Sequence, residues 1–279
     1  MDKNYSHSQK NTNRSTAEKT ITINISKKKL ITVGIYGVCV LIILLGGIFF
    51  VRHLRNKEKP VEKTIEATTE EALVIPDLTG VADAFPNLPI MEDFLTVNRY
   101  SRPGIGLSSS PQYIVIHYTA NPGSTGWDNR NYFENLKDTG ETFASAQFVI
   151  GLDGQIIQCV PCNEMAYCSN SYNEFCISIE MCHPDDTGNF NDETYNSCVY
   201  LVAHLMNYYH LDMDHLIRHY DVTGKNCPKY FVENPERWDM FKEFVEKYRE
   251  EYKASDEALY EERLEQSKQE QTTELSTEK

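Results

Sequence analysis

The chain has 279 residues, a formal net charge of −14 and a pI near 5. That length suits one sizeable domain with extensions rather than two full domains. An acidic chain without clustered Lys and Arg is a poor match to a phosphate backbone, so no nucleic-acid partner is expected.

Residues 1–29 are the exception in charge, with seven Lys/Arg against two Asp/Glu. They are polar and poor in aromatics, and read as a disordered cytoplasmic tail. Residues 30–51, "LITVGIYGVCVLIILLGGIFFV", hold no charge. At ~1.5 Å per residue the run reaches roughly 33 Å, matching a hydrocarbon core of ~30 Å. It starts late and lacks an A-x-A-like cleavage site, which predicts an uncleaved transmembrane anchor rather than a signal peptide. "KKK" at 27–29 precedes the run, but Arg52, Arg55, Lys57 and Lys59 follow it, so flanking charge orients it only weakly. Residues 52–88 are charged, then Thr/Glu-rich, then interrupted by Pro76 and Pro86, the composition of a flexible linker.

From residue 89 to 250 the pattern becomes globular. Short β-branched runs predict strands at "YIVIHY" (113–118), "SAQFVIG" (145–151), "QIIQCV" (155–160), "CISIEM" (176–181) and "HLIRHY" (215–220), with "LDG" turning the second into the third. Tyr195, Cys198, Val199, Val202, Leu205, Met206 and Tyr209 recur at helical spacing. A last helix is expected from Asn234 as N-cap and Pro235 as first residue, with Trp238, Phe241, Phe244, Val245 and Tyr248 as its apolar face. Helices on a mixed central sheet make this an α/β domain. Residues 251–279 are a charged tail, read as a solvated helix or a loose end.

The stretch "RHYDVTGKNCPKY" (218–230) carries the chemistry. His219 closes an expected strand, Gly224 permits a tight turn, and Lys225 and Cys227 follow. A His and a Cys gathered by one loop suit zinc, which needs a third protein ligand and, if catalytic, an open fourth position. His117, ending "YIVIHY" before the loop "TANPG", is the candidate. Each residue alone has a plainer reading: a strand-end His is often hydrogen-bonded scaffolding, and Cys227 could be half of a disulfide. His183, His204, His210 and His215 read as structural. Apart from Cys39 and Cys227, six cysteines remain: Cys159, Cys162, Cys168, Cys176, Cys182 and Cys198. Their spacing does not decide between disulfides and free thiols.

Four segments, "YIVIHYTANPG", "SAQFVIGLDGQIIQCVP", "NEFCISIEMCHPD" and "RHYDVTGKNCPKY", occur in an order that resembles the zinc-dependent N-acetylmuramoyl-L-alanine amidases of the second type. This family includes phage amidase-lysozymes and relatives of peptidoglycan recognition proteins. The likeness begins upstream at "VNRYSRPG" (97–104) and makes 89–250 an amidase domain. It implies that His117, His219 and Cys227 bind Zn2+, that Glu180 is the general base, and that Lys225 steadies the oxyanion. It also implies hydrolysis of the amide between N-acetylmuramic acid and L-alanine in peptidoglycan. A wall substrate would place the domain outside a cell membrane crossed once by 30–51. Gln147 and Cys168 depart from the family, standing where many members carry histidines, and Ala146 stands where some phage members carry a tyrosine. These departures leave a non-catalytic muropeptide-binding module as the alternative. A closed structural zinc site would need a fourth protein ligand.

Overall fold

The computed structural model describes residue 76 and residues 78–277; the expected tail at 1–29 and the expected span at 30–51 lie outside the described residues. Among the described residues no helix is long and apolar enough to cross a membrane.

Six strands form one mixed sheet: β1 (Ile90–Glu92), β2 (Tyr113–Tyr118), β3 (Phe148–Ile150), β4 (Ile156–Gln158), β5 (Cys176–Met181) and β6 (Leu216–Arg218), in the order β1-β4-β3-β5-β2-β6. β3 and β4 pair antiparallel through the expected "LDG" turn, where Gly154 takes a φ of 78°. The other neighbours run parallel. Parallel strands need long crossovers, here supplied by α1 (Gly126–Thr139) and α2 (Asp192–Tyr208). Two short helices, α3 (His219–Thr223) and α4 (Lys229–Glu233), lead into a long one, α5 (Pro235–Thr277).

The period-2 alternation of a strand decides what each sheet face carries. Ile114 and Ile116 of β2 and Ile177 and Ile179 of β5 join one core with Val199, Val202, Leu205 and Met206 of α2 and Phe241 and Val245 of α5. His117, Ser178 and Glu180 occupy the alternate positions. The second core, on α1, joins Phe133 and Leu136 to Val149 and Ile157. α2 is capped by Asn191, whose side chain accepts from the Thr194 N–H, with Asp192 and Glu193 favouring its positive end.

Several expectations change. The strands at 145–151 and 155–160 shorten to three residues each, and the last strand stops at Arg218, so His219 opens α3 instead of ending a strand. α1 carries no apolar periodicity to mark it, because its sequence is mostly polar. Its core contact rests on Phe133 and Leu136, while a Thr125–Asp128 capping box and Gly140 at a φ of 61° fix its ends. β1 is a three-residue edge strand in a Pro-flanked stretch with no alternation to read.

Part of the expected linker packs into the domain: Leu78, Val81 and Phe85 are buried in the first core, and the Val81 N–H donates to Gln158 Oε1. The helix likewise runs past 250. Asp256 and Tyr260 are buried, and Asp256 Oδ1 stands 2.7 Å from His204 Nδ1.

Candidate metal centre and active site

β2 and β5 pair so that His117 lies directly across from Glu180. β6 pairs with the other edge of β2, matching Ile116 with Arg218. The next residue, His219, therefore starts α3 beside His117. α3 ends on Gly224 at a φ of 76°, and the chain returns so that the Tyr220 N–H donates to the Cys227 carbonyl. Neither His219 nor Cys227 sits on a strand; a single helical turn and its cap bring them together.

His117, His219 and Cys227 are all buried, with their ligand atoms within 4.8 Å of one another. His117 Nδ1 lies 3.1 Å from His219 Nδ1 and 3.8 Å from Cys227 Sγ. Two nitrogens held tetrahedrally by zinc stand about 3.3 Å apart, and nitrogen and sulfur about 3.5 Å. The residues thus fit a zinc-sized, borderline-soft cation to within a few tenths of an ångström.

Electrostatics agrees. Burial, then His219 and Lys225, hold the His117 pKa well below its usual value, and burial with Lys225 lowers that of His219 to about 4. Both imidazoles are thus neutral and free to donate a lone pair at neutral pH. Burial chiefly, with the Glu180 charge, pushes the Cys227 thiol up to about 12. A cation would reverse that by stabilising the thiolate.

A further layer orients His117. Its Nε2 lies 3.1 Å from Ser169 Oγ, which lies 2.9 Å from Ser178 Oγ. Both serines are buried. A metal-bound imidazole commonly fixes its tautomer by hydrogen-bonding its other nitrogen, and Ser169 offers that partner here. Nothing in the spacing of Ser169 and Ser178 marks them; Ser178 sits on β5, and the Asn173 side chain accepts from the Ser169 N–H in the loop that meets it.

The centre opens into a cavity of about 520 Å³ that also includes Lys225, Glu180, Cys168, Tyr132, Phe143 and Tyr167. Glu180 Oε1 lies 3.5 Å from Cys168 Sγ, while Oε2 is buried without a hydrogen-bond partner. Burial raises the Glu180 pKa to about 7, against Cys168 and Lys225, which lower it. A carboxylate with one idle, desolvated oxygen is suited to accept a proton.

The departures resolve differently. Gln147 is fully buried, donating to the Glu164 carbonyl and accepting from the Ser178 N–H, so it braces β5. Cys168 faces the cavity. The seven described cysteines are free thiols. His183 orders its loop through the Asp185 carbonyl, and His215 is paired with Asp212.

Two imidazoles and a thiol converging beside a half-buried carboxylate, in a pocket open to solvent, are a set able to run metal-assisted hydrolysis. Residues 107–230 match the family model described as N-acetylmuramoyl-L-alanine amidase. The chain is 33% identical over 170 residues to a probable N-acetylmuramoyl-L-alanine amidase of Bacillus licheniformis, covering 56% of this chain and 47% of that one. It is 33% identical over 173 residues to the N-acetylmuramoyl-L-alanine amidase BlyA of Bacillus subtilis, covering 54% of this chain and 45% of the relative. The chain thus spans about half the length of the curated relatives it matches. The catalytic domain of XlyA is 29% identical with a TM-score of 0.48, over 56% of this chain and 98% of that one.

Proposed function

We propose that this chain is a zinc-dependent N-acetylmuramoyl-L-alanine amidase that cleaves the amide joining N-acetylmuramic acid to the L-alanine of peptidoglycan. The observation that carries the reading is the convergence of His117, His219 and Cys227 beside the unpartnered oxygen of Glu180.

Bound zinc supplies a Lewis acid that polarises the scissile carbonyl and acidifies water. His117 and His219, neutral, and Cys227, as thiolate, would hold it. Glu180 takes the proton from the attacking water and returns it to the departing amine. Lys225, on the cavity wall, faces the negative charge that develops on the carbonyl oxygen. No side chain has to form a covalent bond to substrate.

The uncharged run at 30–51 supports a single-pass anchor, and a wall substrate supports an extracytoplasmic domain; both are part of the proposal. Incubating the purified chain with peptidoglycan, with and without a chelator, tests the chemistry. Stem peptides bearing a new free L-alanine amine are expected, lost on chelation and restored by Zn2+. Retained binding with no new amine under any metal condition would overturn it.

A further inference from the structure

We propose that Cys168 and Glu180 form a second, inhibitory cation position beside the first, selective for a thiophilic divalent ion such as Zn2+ or Cd2+. That such an ion would inhibit rests on the amidase reading; that it binds does not.

Cys168, Glu180 and His117 form a second group whose ligand atoms lie within 4.8 Å of one another. Sulfur and oxygen held tetrahedrally by one zinc ion stand about 3.5 Å apart, which is the separation of Cys168 Sγ and Glu180 Oε1. Glu180 Oε2 is buried with no partner, so the carboxylate can turn toward an ion without breaking another hydrogen bond. Both residues face the cavity, which gives an ion a path in and lets water complete its shell. The His117 ring already points Nδ1 at His219 and Nε2 at Ser169, so the second ion has only two protein ligands, Cys168 and Glu180, one fewer than a resident zinc site takes, and holds less tightly for that reason.

The thiol makes the position selective. Burial and the neighbouring Glu180 keep Cys168 protonated, which makes it a poor target for oxidants, whose attack needs a thiolate. A soft cation replaces that proton directly: the S–H bond breaks, a metal–sulfur bond forms, and the proton leaves to solvent. Hard cations such as Mg2+ gain little from sulfur. The Lys225 ammonium on the same cavity opposes a second positive charge, so this ion binds more weakly than the first. Once bound, it occupies the carboxylate that must accept the water's proton, and hydrolysis stops.

The full chain, loaded with one equivalent of Zn2+, is titrated with Cd2+ and, separately, with further Zn2+. Wild type is expected to take up a second, weaker equivalent, with added ultraviolet thiolate-to-cadmium absorption and release of the Cys168 proton together with any proton that Glu180 carries at the working pH. Hydrolysis should fall about 10²-fold as the second position fills, the scale of losing a general base. Cys168→Ser and Cys168→Ala should each bind one equivalent and keep their own starting rate over the same range. A second equivalent retained in both variants, or one that binds without slowing hydrolysis, would overturn the proposal. If wild type never hydrolyses peptidoglycan but shows the Cys168-dependent second equivalent, the amidase reading fails while the metal position stands.

Discussion

His117 and Glu180 face each other across adjacent parallel strands, paired in register by the β2–β5 ladder. Because side chains alternate along a strand, pairing in register puts both on the face away from the main apolar core. A one-residue slip would turn them to opposite faces. The rigid sheet, rather than a loop, therefore fixes the spacing between the proposed metal ligand His117 and the proposed base Glu180.

Glu180→Gln keeps the side-chain shape but removes the proton acceptor. Hydrolysis should fall about 10²- to 10⁴-fold, with zinc affinity little altered in a chelator competition. In the proposed role Glu180 works ionised, so wild-type kcat/KM should decline as pH drops. Burial holds this carboxyl at about 7, and a neighbouring cation can only favour its charged form, so the acid limb should lie at or below that value. An undiminished rate in the Gln variant would remove Glu180 from its role.

Lys225→Ala should lower kcat more than it raises KM, by about 10²-fold, the lower end for losing an oxyanion-stabilising donor. The side chain is exposed to water, which weakens its charge relative to a buried donor. Zinc content should not change, and a variant that loses its metal would assign Lys225 to holding the site instead.

Ser169→Ala removes the partner of His117 Nε2 while leaving all three proposed ligands in place. Loss of such an outer partner commonly lowers metal affinity about 10- to 100-fold. Competition against a chelator measures this without reference to activity. Ser178→Ala, one hydroxyl further out, should have the smaller effect.

Much of this site was legible because its signals are local. "YIVIHY" and "CISIEM" carry strand alternation and end near their functional residues, and "HYDVTGKNC" carries its own turn. What escaped depended on distant partners. Ser169 and Ser178 look like ordinary loop and strand serines until the loop before β5 is folded against His117 and β5. α1 hid because Asn129 and Arg130, both polar, fill buried positions that an apolar pattern would have marked. The linker and tail misled because their composition is that of solvated chain. A few apolar residues in each, Leu78, Val81 and Phe85 at one end and Tyr260 at the other, still find the core.

Asp256 ties the far part of α5 to α2. It pairs with His204 Nδ1 and accepts from Asn207 Nδ2, while the His204 ring stacks between Phe85 and Tyr252. Asp256→Ala leaves the buried His204 Nδ1 without its partner, while Asn207 Nδ2 keeps the Arg249 carbonyl, and should destabilise the fold by about 1–3 kcal/mol, the scale of leaving a buried polar group unsatisfied. Urea unfolding reads this directly. Ending the chain at residue 250 should destabilise at least as much, and ending it at 265 far less. Equal stability of all three would mean the helix beyond 250 contributes nothing to the domain.

Glu134 clips the loop before β2 to α1. Burial tends to raise its pKa, but hydrogen bonds from Lys137 and Thr96 and the charge of Arg130 outweigh that and hold it at about 2, against 4.5 for a free side chain. A carboxyl depressed on folding stabilises the native state above its unfolded pKa and loses that contribution as pH falls toward the folded one. Wild type should therefore exceed Glu134→Gln in unfolding free energy near pH 7 by on the order of 1 kcal/mol, solvent screening limiting a pair at the domain's edge. The difference should hold down to about pH 5 and shrink toward zero as pH approaches about 2. Urea titrations of both proteins across that range check it, and a gap that stayed constant with pH would mean the glutamine disturbs packing and not charge.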